Sequence, residues 1–410
     1  MKLKRVLALL LVFVLALSII ACNDDLKSND SDTNTDEEIT TAESTPEESK
    51  SEDSTPESKS EDSTDAPKTI AKRTYDAADI YANSKILGRT SVQTVGLTCD
   101  HSSTGIEFNA YIEGKLTIDV TVAKGSADSR TDDCYFTLFI DGKRSETRFM
   151  ANKNAKTTLE LANFEEGGVH NIRFVRQTEA RSALAAISSL TFTGYFEEKP
   201  ANAQYYIEFM GASNTAGYGN LTDVYDATVA QLAVNQDSTQ SYTYLTAKNL
   251  EADYSMLSVS GIGVVDGYRK YPIQNVFEAN SYYRSQTVKY NPTRTPDLIV
   301  MAVGSNDEPK TGKPGVDLSD YRQGVIDLIM SARVTYGENV PIVWVYYTEN
   351  MEYREAAKSA INACGGEDAY IYDIEILFDK TGGNNHPGLQ SHIDGAEKLT
   401  NFIKEKEILK

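Results

Sequence analysis

Tyr205-Tyr-Ile-Glu-Phe-Met-Gly-Ala-Ser-Asn-Thr-Ala-Gly-Tyr-Gly219 decides how this chain of 410 residues is read. Tyr205 to Phe209 make a short strand, and Gly211-Ala212-Ser213 follows at once. Small residues after a strand let the backbone turn sharply and leave the Ser213 hydroxyl uncovered. Gly217 and Gly219 keep the next turn open. A serine so placed serves as a nucleophile when a histidine reaches it. The Gly-x-Ser-x-Gly elbow is absent, because Thr215 stands where its second glycine would be. A strand ending in an ordinary serine turn fits this stretch equally well, and the rest of the chain decides between the two.

From Ala203 onward strands alternate with helices. Strands are expected at 205–209, 254–259, 297–303, 341–347 and 369–373, and helices at about 237–250, 317–335, 350–363 and 389–408. Tyr321, Val325, Leu328 and Ile329 recur at helical spacing, a core stripe. Such alternation gives a parallel sheet covered on both faces, with sites at the carboxyl ends of the strands. Ser258-Val-Ser-Gly261-Ile-Gly263 and Val303-Gly-Ser-Asn306-Asp307 fall at those ends. Gly383-Asn-Asn-His386-Pro387 precedes the final helix. Of four histidines, His101 and His170 belong to the first half, and His392 falls inside the last helical pattern, so these three read as structural. His386 is the candidate general base, with an ordinary pKa near ~6.5 that suits the work.

These segments, in this order, resemble the blocks of the SGNH (GDSL) hydrolases, and in particular carbohydrate esterase family 2. The first block of that family is Gly-Asp-Ser followed by a Thr and a Gly-Tyr-Gly-like run; here Ala212 replaces the Asp. The resemblance implies Ser213 as nucleophile and His386 as base. It implies an oxyanion hole made by the backbone N–H groups of Ser213 and Gly261 (or Gly263) and the side chain of Asn306. Asp307 reads as a residue that ends a strand and holds the turn. The family's usual Asp three residues before the base is Gly383 here. Some members resemble this chain in working as a Ser–His dyad, with a backbone carbonyl positioning the imidazole; a decayed site is the other explanation.

Residues 75–197 alternate with period two. Ile106, Phe108 and Ala110 share one face, as do Leu116, Ile118, Val120 and Val122, and Phe136, Leu138 and Ile140, the last closed by Asp141-Gly142. Many short alternating strands with turn signals predict an antiparallel sandwich. The family resemblance implies a jelly roll here, beginning near Lys85-Ile-Leu-Gly-Arg89, and a three-layer SGNH-hydrolase domain with a flavodoxin-like parallel sheet over 203–410.

The start of the chain reads as processing signals. Lys2, Lys4 and Arg5 precede an apolar run from Val6 to Ala21, a secretory signal over 1–22. Ile19-Ile-Ala-Cys22 resembles a bacterial lipobox, which implies a lipid on Cys22; a plain secreted chain is the alternative. Residues 23–67 hold 16 Asp/Glu and 3 Lys amid Ser and Thr, and a unit beginning Thr45-Pro recurs at Thr55-Pro. With no apolar surface to offset chain entropy, 23–68 reads as a disordered, extended stalk. The formal charge is −20, of which −13 lies in 23–67. No basic stripe exists for nucleic acid. Cys99 and Cys134 either pair or are separate buried thiols, Cys364 has no assigned role, and no Cys/His cluster has metal-ligand spacing, so no cofactor is expected.

What the resemblance implies is an extracellular esterase, anchored to the membrane through its lipid, that removes O-acetyl groups from polymers such as xylan or glucomannan through an acetyl-enzyme. Trp344, Tyr346 and Tyr347, at the end of the fourth strand, are candidates to stack on a sugar or simply core. The alternatives are an inactive polysaccharide-binding surface protein, favoured by Ala212 and Gly383, and an esterase of the cell's own wall glycan.

Overall fold

Period-two alternation in the first domain produces strands much longer than the sequence suggests. In the computed structural model, which describes residues 68–125 and 129–410, Gly105–Ala123 and Ala155–Arg176 are single strands of 19 and 22 residues. They pair antiparallel along most of their length. Register shifts between Ile112 and Gly114 and between Leu116 and Thr117 let them bend without breaking the ladder. Gly167 and Gly168 therefore lie inside a strand rather than at a turn. A Cβ at Gly167 would sit 2.2 Å from the Tyr111 hydroxyl, so the glycine admits that ring. Asp141 and Gly142 do form the expected two-residue turn, with φ of 51° and 75°; it joins Cys134–Ile140 to Lys143–Ala151. Among the described residues, nine strands of this domain form one antiparallel sheet. Its buried face carries Phe108, Ile118, Phe136, Phe174 and Phe192. Cys99 and Cys134 are free thiols buried in that core, and burial pushes the Cys99 thiol up to about 12. The segments read above as signal peptide, lipid-bearing Cys22 and stalk lie outside the described residues, apart from Lys68.

The second domain is a five-stranded parallel sheet: β1 (Tyr206–Gly211), β2 (Asp253–Ser258), β3 (Leu298–Ala302), β4 (Ile342–Tyr346) and β5 (Ile371–Glu375). The order is β2-β1-β3-β4-β5, a doubly wound arrangement whose switch point lies beside β1. Four longer helices cover it: α1 (Tyr242–Asn249), α2 (Leu318–Tyr336), α3 (Met351–Ala363) and α4 (Leu389–Glu405). One face packs Met210, Leu257, Met301 and Trp344 against Val325, Leu328 and Ile361. The other packs Phe209, Met256, Val300 and Val343 against Tyr242, Leu399 and Ile403. The central strands β3 and β4 are apolar on both sides because they are covered on both sides, whereas the edge strand β5 exposes Asp373.

Both domains belong to one compact unit, and polar groups fasten the seam. Arg89 of the first domain donates to both carboxylate oxygens of Glu208 in β1, at 3.1 and 3.2 Å. Its other nitrogen donates to the Phe277 and Ala279 carbonyls. Tyr336 of α2 donates to the same carboxylate, and the guanidinium lies 3.6 Å from the Tyr290 ring centroid. Elsewhere the Ser103 hydroxyl donates to Ser238 at 2.8 Å, and Arg148 donates to the Val234 and Gln236 carbonyls.

Candidate active site

Ser213 opens a one-turn helix, Ser213–Ala216, directly after β1. Its neighbours follow from strand pairing. Gly211 at the end of β1 is in register with Ser258 of β2 and Ala302 of β3, so the loops after all three strands emerge side by side. Ala212 is 2% exposed and belongs to the apolar cluster with Val259 and Ile262. An apolar residue therefore suits the place where the related motif has Asp.

The loop after β2 carries Gly261 at φ +82°, in the left-handed region. Its carbonyl accepts from the Tyr268 amide at 2.6 Å. The loop after β3 reaches across to hold it. Asn306 Nδ2 donates to the Ile262 carbonyl at 2.8 Å, which leaves the second Nδ2 hydrogen for another acceptor. Asp307 is fully buried and accepts from the amides of Val264, Val265 and Asp266 at 2.8, 2.8 and 3.0 Å. Burial pushes its carboxyl up, and those amide bonds oppose the shift. Asp307 thus clamps the neighbouring loop, beyond the turn-holding role expected of it.

His386 follows a strained turn in which Asn384 and Asn385 have φ of 52° and 59°. That geometry, which asparagine tolerates better than most residues, turns two carbonyls toward the ring. Nδ1 lies 3.1 Å from the Gly383 oxygen and 2.9 Å from that of Asn384. Carbonyls only accept, so Nδ1 carries the proton and Nε2 is left as the basic nitrogen. A side chain at 383 would displace its neighbours: a Cβ there would lie 2.6 Å from the Leu232 side chain and 2.7 Å from that of Thr222. The turn is tied to the Ser213 segment, since Gly383 donates to the Gly219 carbonyl at 3.0 Å and Tyr218 donates to that of Ser213 at 3.1 Å. The Tyr218 ring meets the imidazole edge-on, centroids 5.1 Å apart. Burial pulls the His386 pKa below its ordinary value; the two carbonyls and the charge of Glu179 oppose it.

His392 is buried, accepts from the Tyr242 amide through Nδ1 and is held neutral by burial, its pKa pulled down to about 3. His170 pairs with Asp141 on the first domain.

The aromatic residues on β4 need correction. Trp344 and Tyr346 are 1% and 3% exposed and sit in the core facing α2 and α3, so neither offers a ring to a sugar. Tyr347 is half-buried under the β3 loop, its hydroxyl accepting from Ser305. The exposed rings near the site are Tyr268, beside Gly261, and Tyr225, next to the Val224 carbonyl that accepts from the Asn384 amide. Neither carries a periodic signal, because each lies in a loop.

Sheet order and strand-end loops give the second domain a doubly wound α/β fold, with the serine and histidine segments brought to one end of its sheet. Residues 86–200 match the family model of the carbohydrate esterase 2 N-terminal domain. The cellulase/esterase CelE of Acetivibrio thermocellus is 26% identical over 333 residues, covering 76% of this chain and 38% of that protein. An acetylxylan esterase/glucomannan deacetylase of Cellvibrio japonicus is 28% identical over 185 residues, 43% of this chain and 49% of the other. This chain thus spans less than half of the length of these two curated relatives. A family two carbohydrate esterase from Clostridium thermocellum, solved in complex with cellohexaose, shares the fold with a TM-score of 0.69 at 23% identity, covering 80% of this chain and 100% of that one.

Proposed function

We propose that this chain is a carboxylic ester hydrolase that removes O-acetyl groups from polysaccharide through Ser213 and His386. The observation that carries the reading is the His386 ring, whose Nδ1 proton is taken up by the Gly383 and Asn384 carbonyls. Nε2 then takes the proton of Ser213 as Oγ bonds the acetyl carbonyl carbon. The resulting oxyanion is met by the Ser213 and Gly261 amides and by Asn306 Nδ2. Collapse breaks the ester bond, and His386 returns the proton to the departing sugar oxygen. Water, activated by the same nitrogen, releases acetate from the acetyl-enzyme. The carbonyl pair supplies the orientation that a carboxylate gives elsewhere; charge for the imidazolium must come from another group.

The relatives' names support acetylated xylan or glucomannan as substrate, with Tyr268 and Tyr225 as the exposed faces for sugar rings. We read the first domain as a jelly roll, and residues 1–68 as lipid signal, Cys22 anchor and stalk that hold the enzyme outside a bacterial cell. The test is acetate release from acetylated xylan and glucomannan by residues 68–410, beside Ser213→Ala. Release lost in the variant supports the esterase. Binding of the polymer with no release by the wild type would instead favour a non-catalytic surface protein.

A further inference from the structure

Glu179 does not belong to any of the segments that mark the hydrolase, yet the fold delivers it to them. It lies in the turn after the long strand Ala155–Arg176 of the first domain. That turn is built around Arg176, a fully buried guanidinium that donates to four carbonyls: Cys99, Thr178, Glu179 and Ala183, at 2.6 to 2.8 Å. The Glu179 side chain is itself 0% exposed. Its Oε2 accepts from the Ser260 amide at 2.8 Å, one residue before Gly261. Its Oε1 is buried and accepts no hydrogen bond from any described residue. A buried carboxylate oxygen left without a donor is costly, and such exceptions call for an explanation.

We propose that Glu179 is a positioning residue: the first domain lends the hydrolase a carboxylate that fixes the Gly261 loop and faces His386 with negative charge. This rests on the esterase reading above. It answers the question Gly383 leaves open, since two carbonyls orient the imidazole but carry no net charge to balance the imidazolium. It also gives the first domain a part in the chemistry.

The groups around His386 define the test. The charge of Glu179 raises the His386 pKa, more weakly than the two carbonyls do. Tyr218 meets its ring and receives a hydrogen bond from Arg130 at 3.4 Å. Arg130 and Arg181 bring positive charge to Tyr218, and Arg130 also faces Glu179. His392 lies behind, held neutral. Glu179→Gln keeps the shape and the bond from Ser260 but removes the charge. The His386 imidazole, followed by NMR in wild type and variant, should titrate lower in the variant, and kcat should fall with it. On a small activated acetate ester the acid limb of kcat should move down in pH by the same amount. A role confined to holding the loop would change kcat and leave the titration in place, which would overturn the proposal. Should Glu179→Gln not fold, Arg130→Gln decides: with its countercharge gone, Glu179 should make His386 titrate higher, and no change would overturn the proposal. The NMR titration needs no turnover, so a wild type inactive on every ester refutes the esterase reading alone.

Discussion

In the proposed mechanism Gly383 acts through its backbone. A side chain there collides with Leu232 and Thr222, while its carbonyl meets His386 Nδ1. Restoring the family's carboxylate by Gly383→Asp should therefore lower activity and stability together, which thermal unfolding beside ester hydrolysis will show. Because burial pulls the His386 pKa down and only the neutral ring accepts a proton, the acid limb of kcat/KM should lie below the ordinary value of about 6.5. A limb above that value would mean that burial does not dominate. Asn306→Ala should cost about a hundredfold or more in kcat with a smaller change in KM, as expected of a donor that acts on the transition state. The places of Ser213 and Asn306 at strand ends and of His386 before the last helix were legible in the sequence, while the roles given to them came from the family resemblance. The carbonyl arrangement was not legible from spacing alone, although Asn384-Asn385 offered a signal, since asparagine tolerates the left-handed turn that aims those carbonyls.

At the level of elements, the loop after β2 is held from two sides, by Asp307 of the β3 loop and by Glu179 of the first domain. Asp307→Ala removes an acceptor from three amides at once, at a cost on the order of 3 kcal/mol, and should lower kcat by loosening Gly261. Unchanged kcat in a destabilised variant would separate the clamp from the chemistry. The five strands and four longer helices of the second domain were legible because the hydrophobic period switches cleanly between them. Ile273–Glu278 and Val229–Val234 were not, being six-residue helices too short to show a period. The strand lengths of the first domain were hidden because a strand that bends at bulges keeps its alternation, so glycines inside it look like turns.

Across the whole molecule, polar contacts between the domains were invisible to any local pattern, since their partners are far apart in sequence. Arg89 and Glu208 stand 119 residues apart and are both fully buried at the side chain. Arg89→Met leaves the carboxylate unpaired and should cost about 3–5 kcal/mol, seen as a lower urea midpoint. Stability should also fall in mild acid. His101 and His392 are pulled down to about 4 and about 3. Below their ordinary 6.5 the unfolded chain binds protons that the folded chain refuses, a loss of at most about 1.4 kcal/mol per pH unit for each histidine. Urea unfolding at about pH 7 and about pH 5 should show this loss, and His392→Gln should reduce it.

The central claim is that Ser213 becomes acetylated with His386 as its base. Rapid quench of residues 68–410 with a small activated acetate ester, followed by peptide mass analysis, tests it directly. The account predicts one acetyl group on the Ser213 peptide early in turnover, and none in His386→Ala under the same conditions. Steady release of acetate with no label on Ser213, or equal labelling without His386, would contradict it.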